Sequence, residues 1–194
     1  MANPPRVHPL QSWTAAFEQL PPTVRISVEP YVAMVNIRLG TPNDEVTAVV
    51  GVQLPTAPNT WRPTGTGRAI WLGPDEWLLT STADTPEALE ARIRSAAMAA
   101  GGAAADVSAQ RIMLRLTGPS VRKLLANGCA IDLHPRVFGL GDSAQTTLAR
   151  AGIVLLGLSD VGHDFVVLVR SSFAGYLADW LLDAAAEFAA DPAA

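Results

Sequence analysis

The sequence predicts an α+β fold with mixed or antiparallel sheets and helices packed on one face. Two observations support this class. Strand-like apolar segments come in runs interrupted by single helices, and no phosphate-binding glycine loop follows a strand. A doubly wound parallel sheet would need strands and helices that alternate along the chain. We expect residues 1–23 to form a proline-rich arm and residues 24–190 to form one domain of two closely packed halves, at about 24–104 and 105–190.

The chain after the arm begins with alternating apolar residues, which predict strands. After Pro30 the apolar phase moves by one residue, and because proline interrupts a strand ladder, we expect a bulge or bend there. Apolar residues alternate again over 46–52 and predict a second strand after a turn. The residues that share the first face are Val24, Ile26 and Val28.

Residues 54–67 are rich in proline, glycine and threonine and predict a long surface loop. Loops of more than about 12 residues in compact domains often have a function or contact something outside the domain. Trp61 and Arg62 lie in the middle of this loop, and their side-chain types are enriched at interface hot spots. The alternative for the tryptophan is that it folds back onto the core.

Residues 68–81 predict a β-hairpin, because two apolar segments flank a turn that contains proline and acidic residues. Asp75 and Glu76 lie on this turn, where adjacent carboxylates point apart into water, so they do not predict a catalytic pair. A helix follows, with Thr85 as its cap and Pro86 as its first residue, and a glycine pair ends it.

Residues 111–135 predict a strand, a turn and a short helix that form one packing unit. The period-two pattern of the strand indicates one buried face, formed by Ile112, Leu114 and Leu116. Gly118 begins the turn, and Gly128 follows Asn127 at the position where a left-handed residue commonly ends a helix.

The rest of the chain predicts more strands and a terminal helix. Residues 144–158 predict one or two strands, and residues 165–169 predict another. Ser171 or Ser172 is the expected cap of the last helix, whose apolar face recurs at helical spacing.

Composition excludes several classes of function. The net charge of -4 and the single lysine, Lys123, argue against a nucleic-acid-binding protein, which would display a basic patch. No apolar run reaches the length of about 20 residues that a membrane-spanning helix needs, so we expect a cytoplasmic protein. The charged fraction of 16% is low, which suggests an apolar surface covered by a partner. An alanine-rich composition is the alternative explanation.

No residue pattern predicts an active site. The histidines His8, His134 and His163 are far apart in the sequence, and the single cysteine, Cys129, cannot build a disulfide or a cysteine metal site. No GxSxG motif is present. His134 beside Asp132 is the best acid–base candidate, although a surface histidine before a proline is more often without a catalytic role. We therefore expect no catalytic, cofactor-binding or metal-binding residues in this chain.

Three blocks of sequence together resemble the gamma subunit family of heterotetrameric sarcosine oxidase. They are LGPDEWLL at 72–79, the GP pair at 118–119 leading to GCAIDLHP at 128–135, and RSSFA at 170–174 leading to YL at 176–177 and WL at 180–181. The resemblance runs from about residue 55 to residue 188, and the middle block is the most specific. The first 50 residues match only loosely.

The resemblance implies a subunit of a complex that demethylates sarcosine oxidatively to glycine. In that family the one-carbon unit passes to tetrahydrofolate, and electrons pass through flavin to oxygen. The resemblance implies that FAD, covalent FMN, NAD and tetrahydrofolate bind to the larger alpha and beta subunits. It implies the alpha, beta and delta subunits as partners. The resemblance also implies a fold similar to the folate-binding domain of the glycine-cleavage aminomethyltransferase.

The resemblance therefore predicts a non-catalytic subunit. Its expected contacts come from the arm at 1–23, from the loop that contains Trp61, and from the region around His134 and Arg136. Two alternatives remain open at this point. One is a freestanding folate-binding relative of the aminomethyltransferases, and the other is a small-molecule-binding module unrelated to sarcosine. The candidate interface residues are Trp61, Arg62, Asp132, His134 and Arg136.

Overall fold

Two five-stranded sheets packed face to face organise the computed structural model, which describes residues 7–190. Every pairing between the strands of this part of the chain is antiparallel. The predicted α+β class is confirmed. Residues 1–6, which carry Pro4 and Pro5 of the predicted arm, lie outside the described residues.

Each sheet combines strands that are distant in sequence. In spatial order, sheet I contains β1 (Arg25–Val28), β7 (Arg111–Thr117), β10 (Asp164–Arg170), β9 (Ala151–Gly157) and β8 (Ser143–Leu148). In spatial order, sheet II contains β3 (Trp61–Pro63), β4 (Gly67–Gly73), β5 (Glu76–Ser81), β2 (Ala33–Arg38) and β6 (Ala103–Asp106). Because β1 pairs with β7, the halves expected at 24–104 and 105–190 do not coincide with the two sheets.

Helices cover the outer face of each sheet. The outer face of sheet I packs on α1 (Thr14–Glu18), α4 (Val121–Ala126) and α5 (Ala174–Ala185), whereas sheet II packs on α2 (Asp44–Val50) and α3 (Pro86–Ala99). Short 3-10 segments lie at Gln11–Trp13, Ser171–Phe173 and Ala186–Ala190. The layers are thus helices, sheet, sheet and helices. None of the helices within residues 7–190 has the length and apolarity needed to traverse a membrane.

Strand β7 is buried on both faces, not on one as its alternation predicted. Leu114 and Leu116 face α4 and α5, as expected. Met113, on the opposite face, is also buried, because sheet II packs against it through Met34 and Leu78. Sequence periodicity could not show the second sheet, since only the first face has a regular apolar pattern.

Pro30 marks a change of sheet instead of a bulge within one strand. The chain leaves β1 in sheet I at Val28 and enters β2 in sheet II at Ala33. The shift of the apolar phase after the proline therefore reflects two strands that pack on different layers. The amide of Glu29 still donates to the carbonyl of Met113, at 3.0 Å, so pairing with β7 ends just before the proline.

The strand predicted at 46–52 is wrong, because these residues form α2. The Asn43 side chain accepts a hydrogen bond from the Val46 amide, and Gly51 ends the helix with φ +82°. Val46 and Val50, one helical turn apart, are the buried members of the alternating set. A good cap and this spacing outweigh the β-branched composition.

The segment at 54–67, predicted as a surface loop, contains the short strand β3. The Trp61 amide donates to the carbonyl of Gly141 at 2.9 Å, and the Ser143 amide donates to Asn59 at 2.8 Å. An isolated antiparallel bridge joins Thr60 to Asp142. Sheets I and II are therefore joined by backbone hydrogen bonds along the side where β3 and β8 meet.

Several predictions from local pattern are confirmed. The hairpin at 68–81 is β4 and β5, and residues 144–158 lie mainly in two strands, β8 and β9. Helix α3 begins as expected, since the Thr85 hydroxyl accepts from the Ala88 amide and Pro86 is the first helical residue.

Two expected helix ends differ from the structure. Helix α4 ends without a left-handed residue, because Asn127 has φ -65° and Gly128 is not among the residues with positive φ. Helix α5 has no side-chain cap, since Ser171 and Ser172 belong to a 3-10 turn before it. Gly128 has another role: its carbonyl accepts from the Ala149 amide while the Trp180 ring packs on its Cα.

We predict that Gly128→Ala destabilises the protein by about 1–3 kcal/mol, because overpacking at a tight contact forces its neighbours to shift. A Cβ at this position would lie 2.6 Å from Cζ2 of Trp180 and 2.9 Å from the backbone nitrogen of Ala149. The measurement is the free energy of unfolding in urea. Gly152→Ala is the matched control, because a Cβ on this β9 glycine meets nothing within 4 Å. Equal stability of the two variants would contradict the prediction.

Candidate interaction surfaces

Residues 132–138 form an ordered turn at the surface. Asp132 Oδ1 accepts from the His134 amide at 2.8 Å, and His134 Nδ1 accepts from the Arg136 amide at 3.2 Å. The His134 carbonyl accepts from the amides of Val137 and Phe138. These local bonds hold the exposed side chains of Asp132 and His134, whereas Arg136 takes part through its backbone amide. The structure therefore brings together three of the predicted interface residues.

A shallow pocket of about 310 Å³ lies beside this turn. Asp132 and His134 form one side of it, and Arg122 and Lys123 of α4 form another. The pairing of Asp132 with His134 does not resemble an acid–base pair, because both side chains accept hydrogen bonds from backbone amides. The pocket is therefore better suited to contact with a polar surface than to proton transfer.

Exposed apolar side chains lie within the turn, just after it and on a neighbouring loop. Val137 is 61% exposed and Leu140 is 57% exposed. Val161, on the neighbouring loop between β9 and β10, is 59% exposed. The two loops are joined where the Leu140 amide donates to Asp160 Oδ1 at 3.3 Å. We call Val137, Leu140 and Val161, together with the turn at 132–138, the loop surface. It combines apolar and charged groups, as protein interfaces do.

Trp61 and Arg62 separate in the structure. Trp61 is only 8% exposed and lies between the sheets, where its indole N–H donates to the Gly157 carbonyl at 3.1 Å. The folded-back alternative for this tryptophan therefore describes its position, and its side chain is not an exposed anchor. Arg62 is exposed on β3. Through the bond from Trp61 to Gly141, β3 adjoins the end of the loop surface.

The inner faces of the two sheets carry a charged group at one end of their contact. Arg115 donates from Nε and Nη2 to the two carboxylate oxygens of Asp164, at 3.0 and 2.7 Å, and this interaction raises the pKa of Arg115. Arg68 lies over the Trp61 ring, 5.7 Å from its centroid. Burial lowers the pKa of Arg68, whereas the charge of Glu29 opposes that change. The ion pair joins β7 to β10 within sheet I, and the contact of Arg68 with Trp61 joins β4 to β3 within sheet II.

A groove of about 940 Å³ lies between β1 and the region after β6. One wall is the N-terminal segment with α1, the floor follows β1 and residues 29–32, and the other wall includes Asp106, Ser108 and the start of α3. This volume is at the upper end of the range for ligand pockets. The groove lies on the side of the sandwich opposite the junction of β3 and β8.

The groove has more acidic than basic side chains. Among residues 7–190, four carboxylates line it, against one guanidinium, that of Arg111. Burial lowers the pKa of Arg111, and the charge of Arg170 acts in the same direction. Burial also lowers the pKa of His8, whose Nδ1 accepts from the Leu10 amide, so this histidine does not add positive charge at neutral pH. The carboxylates belong to Glu18, Glu29, Glu87 and Asp106.

No group of three metal-ligating side chains converges within residues 7–190. Cys129 is buried in the core of sheet I, His8 lies in the N-terminal segment, and His134 and His163 lie on two neighbouring surface loops. Sequence reasoning missed the groove, because its floor is an edge strand whose neighbours are known only from the sheet order. Apolar residues before Pro30 were a signal for a strand, but not for an edge.

Comparison with known proteins gives the family. The model of the sarcosine oxidase, gamma subunit family matches residues 42–187. A sarcosine oxidase subunit gamma from Corynebacterium sp. (strain P-1) is 39% identical over 127 residues, which cover 64% of this chain and 60% of that protein. The match thus spans less than two thirds of that relative's length.

Solved structures agree with this result. A chain of the heterotetrameric sarcosine oxidase from Corynebacterium sp. U-96, in complex with pyrrole 2-carboxylate, superposes with a TM-score of 0.86 and 30% identity, covering 97% of this chain and 99% of that chain. The glycine cleavage system aminomethyltransferase T from Bartonella henselae gives a TM-score of 0.62 at 13% identity, covering 88% of this chain and 48% of that chain. At this identity the second likeness concerns the fold alone, and it confirms the predicted aminomethyltransferase-like fold. The resemblance of the three sequence blocks is also confirmed, and the chain belongs to the sarcosine oxidase gamma subunit family.

Proposed function

We propose that this chain is the gamma subunit of a heterotetrameric sarcosine oxidase and that it has a structural, non-catalytic role. The observation that carries the proposal is the superposition, over nearly the whole of both chains, on a chain of a heterotetrameric sarcosine oxidase. A subunit that functions by contact needs surfaces rather than an active site. The groove and the loop surface both offer such contacts.

The proposed complex oxidises sarcosine to glycine, transfers the one-carbon unit to tetrahydrofolate and passes electrons through flavin to oxygen. In this proposal FAD, FMN, NAD and tetrahydrofolate bind to partner subunits among alpha, beta and delta. The chemistry of this chain supports that distribution, because its best acid–base candidates, Asp132 and His134, are engaged in local turn hydrogen bonds.

The loop surface is the proposed main contact with another subunit. Its apolar residues are exposed, while hydrogen bonds in the turn beside them hold the side chains of Asp132 and His134. A rigid surface loses little conformational entropy when it binds. Arg62, on the adjoining strand β3, extends the same contact. Trp61 is buried between the sheets, where its packing holds β3 in position.

The alternative function is a freestanding folate-binding protein related to the aminomethyltransferases. The observations that favour it are the aminomethyltransferase-like fold and a groove with the volume of a ligand pocket. The four carboxylates of the groove argue against it, because folate is itself an anion and would meet like charges.

We predict that the tagged chain co-purifies with the other three subunits when all four are expressed together. The measurement is size-exclusion chromatography of the affinity-purified material, with sarcosine oxidation followed as oxygen consumption. Omitting this chain from the co-expression is the control and should lower the yield of the assembled oxidase. A tagged chain that elutes alone as a stable monomer beside the other subunits would contradict the proposed function.

We predict that Val137→Glu with Leu140→Glu weakens assembly by about 30-fold or more, since hot-spot side chains contribute roughly 2 kcal/mol or more. Both residues are exposed, so the fold should keep its unfolding temperature. The measurement is the dissociation constant for the remaining subunits. Met98→Glu is the matched control, because Met98 is 64% exposed on α3, on the outer face of sheet II. An equal loss in both variants would refute a specific role for the loop surface.

We expect the isolated chain to show no saturable binding of reduced folate in the micromolar range, because the acidic groove repels an anionic ligand. Isothermal titration calorimetry with tetrahydrofolate measures this. Specific micromolar binding, abolished by a substitution in the groove such as Arg111→Ala, would support the folate-binding alternative instead.

A further inference from the structure

Strand β1 is an edge strand whose outward backbone groups face the groove. The Glu29 amide donates to the Met113 carbonyl, and the register pairs Val28 with Leu114. Hydrogen bonds alternate along an antiparallel pair, so Glu29, Ser27 and Arg25 face β7. The N–H and C=O groups of Ile26 and Val28 therefore point away from sheet I, toward the groove that these two residues line.

These outward groups have no hydrogen-bond partner among residues 7–190. Helix α1 does not supply one, because Phe17 packs with Ile26 in the core on the helix-covered face of the sheet. On the opposite side of the sandwich, by contrast, Thr60 and Asp142 pair and join the two sheets. One side of the sandwich thus has backbone bonds that join the two sheets, whereas the outward groups of β1 have none among the described residues.

The space beside β1 is large enough for another strand. Neighbouring strands lie about 4.8 Å apart, and the groove of about 940 Å³ follows the strand from Ile26 into residues 29–32. Ile26 is buried and Val28 half-buried, so their backbone groups lie at the bottom of a concave surface instead of on a flat edge. Natural proteins usually protect an unpaired edge. Here the groove protects the edge from non-specific pairing with other strands, but a segment that fits the groove can still reach it.

Charge indicates what kind of segment fits. The carboxylates of Glu18 and Asp106 lie beside the space, and Arg111 is the one guanidinium among the described lining residues. The charge of Glu29 acts on two arginines: it opposes the lowering of the Arg68 pKa by burial, and it adds to the raising of the Arg115 pKa by Asp164. The surplus of negative charge favours a segment with arginine or lysine side chains.

We propose that β1 accepts an extended, positively charged segment of another subunit, which adds a strand to sheet I by pairing with Ile26 and Val28. This inference rests on the proposed function, because the segment belongs to a subunit of the same complex. Main-chain hydrogen bonds give affinity in such strand addition, and side-chain pockets give specificity. The four residues of β1 limit the added strand to about four residues, or roughly 13 Å.

Hydrogen–deuterium exchange on the assembled complex tests this directly. In the isolated chain the amides of Ile26 and Val28 should exchange fast, whereas those of Arg25 and Ser27 are protected by β7. Assembly should slow the two outward amides by at least about tenfold, since each gains a hydrogen bond. If assembly occurs and these amides keep their fast exchange, strand addition is wrong. If the wild-type chain does not assemble at all, the proposed function fails and not this inference alone.

Val28→Pro supplies a second test. Proline is tolerated where an edge-strand N–H faces away from its sheet, so the fold should keep its unfolding temperature while the outward donor is lost. We expect the dissociation constant for the other subunits to rise about tenfold. Unchanged affinity of a folded Val28→Pro chain would overturn the proposal.

Charge reversal keeps the proposal testable if the proline variant does not fold. Glu18→Lys, on exposed α1, should weaken assembly at least about threefold and reduce its dependence on salt. Asp183→Lys is the matched control, because Asp183 is exposed on α5 and lies outside the groove lining. This variant should leave the affinity unchanged. Equal losses in both variants would show a general effect of charge and would overturn the acidic groove as the cause. Protection of Ile26 and Val28 in the isolated chain at high concentration would assign the edge to a second copy instead.

Discussion

Contact between the inner faces of sheets I and II is the interaction on which the rest of this structure depends. Met113, Val154 and Val166 of sheet I pack on Met34, Ile70 and Leu78 of sheet II. Each such side chain, when fully buried, contributes about 1.5–3 kcal/mol. Without this contact, each sheet would expose an apolar face that its own helices cannot cover, since they occupy the outer faces. The two sheets are therefore one folding unit.

Local pattern predicted those elements whose signals are complete within a few residues. The Thr85–Pro86 start of α3 and the hairpin at 68–81 depend on neighbouring residues alone, and both are confirmed. Helix α2 was missed because alternating valines are compatible with either period. The Asn43 cap and the burial of Val46 and Val50 against sheet II favour the helix over a strand. This burial can be known only once the fold is known.

The candidate sites also differ in how far the local sequence determines them. Asp132, His134 and Arg136 lie close in sequence, so their grouping in one turn follows from local hydrogen bonds. The groove is different, because it depends on β1 leaving its sequence neighbours to pair with β7, about 90 residues later. The position of Trp61 between the sheets likewise depends on the second sheet. Sequence reasoning left both positions of that tryptophan open, and the packing of the sheets decides between them.

The two sides of the sandwich have different backbone chemistry, and this asymmetry bears on function. On one side, Thr60 and Asp142 pair across the sheets, which joins the adjoining ends of β3 and β8 within the chain itself. On the other, the Pro30 crossover carries the chain from sheet I to sheet II without pairing β1 to β6. A backbone group in a concave and partly apolar place loses water without gaining a partner, which is costly until another chain supplies one. The unsatisfied edge of β1 therefore gives this chain a physical reason to associate.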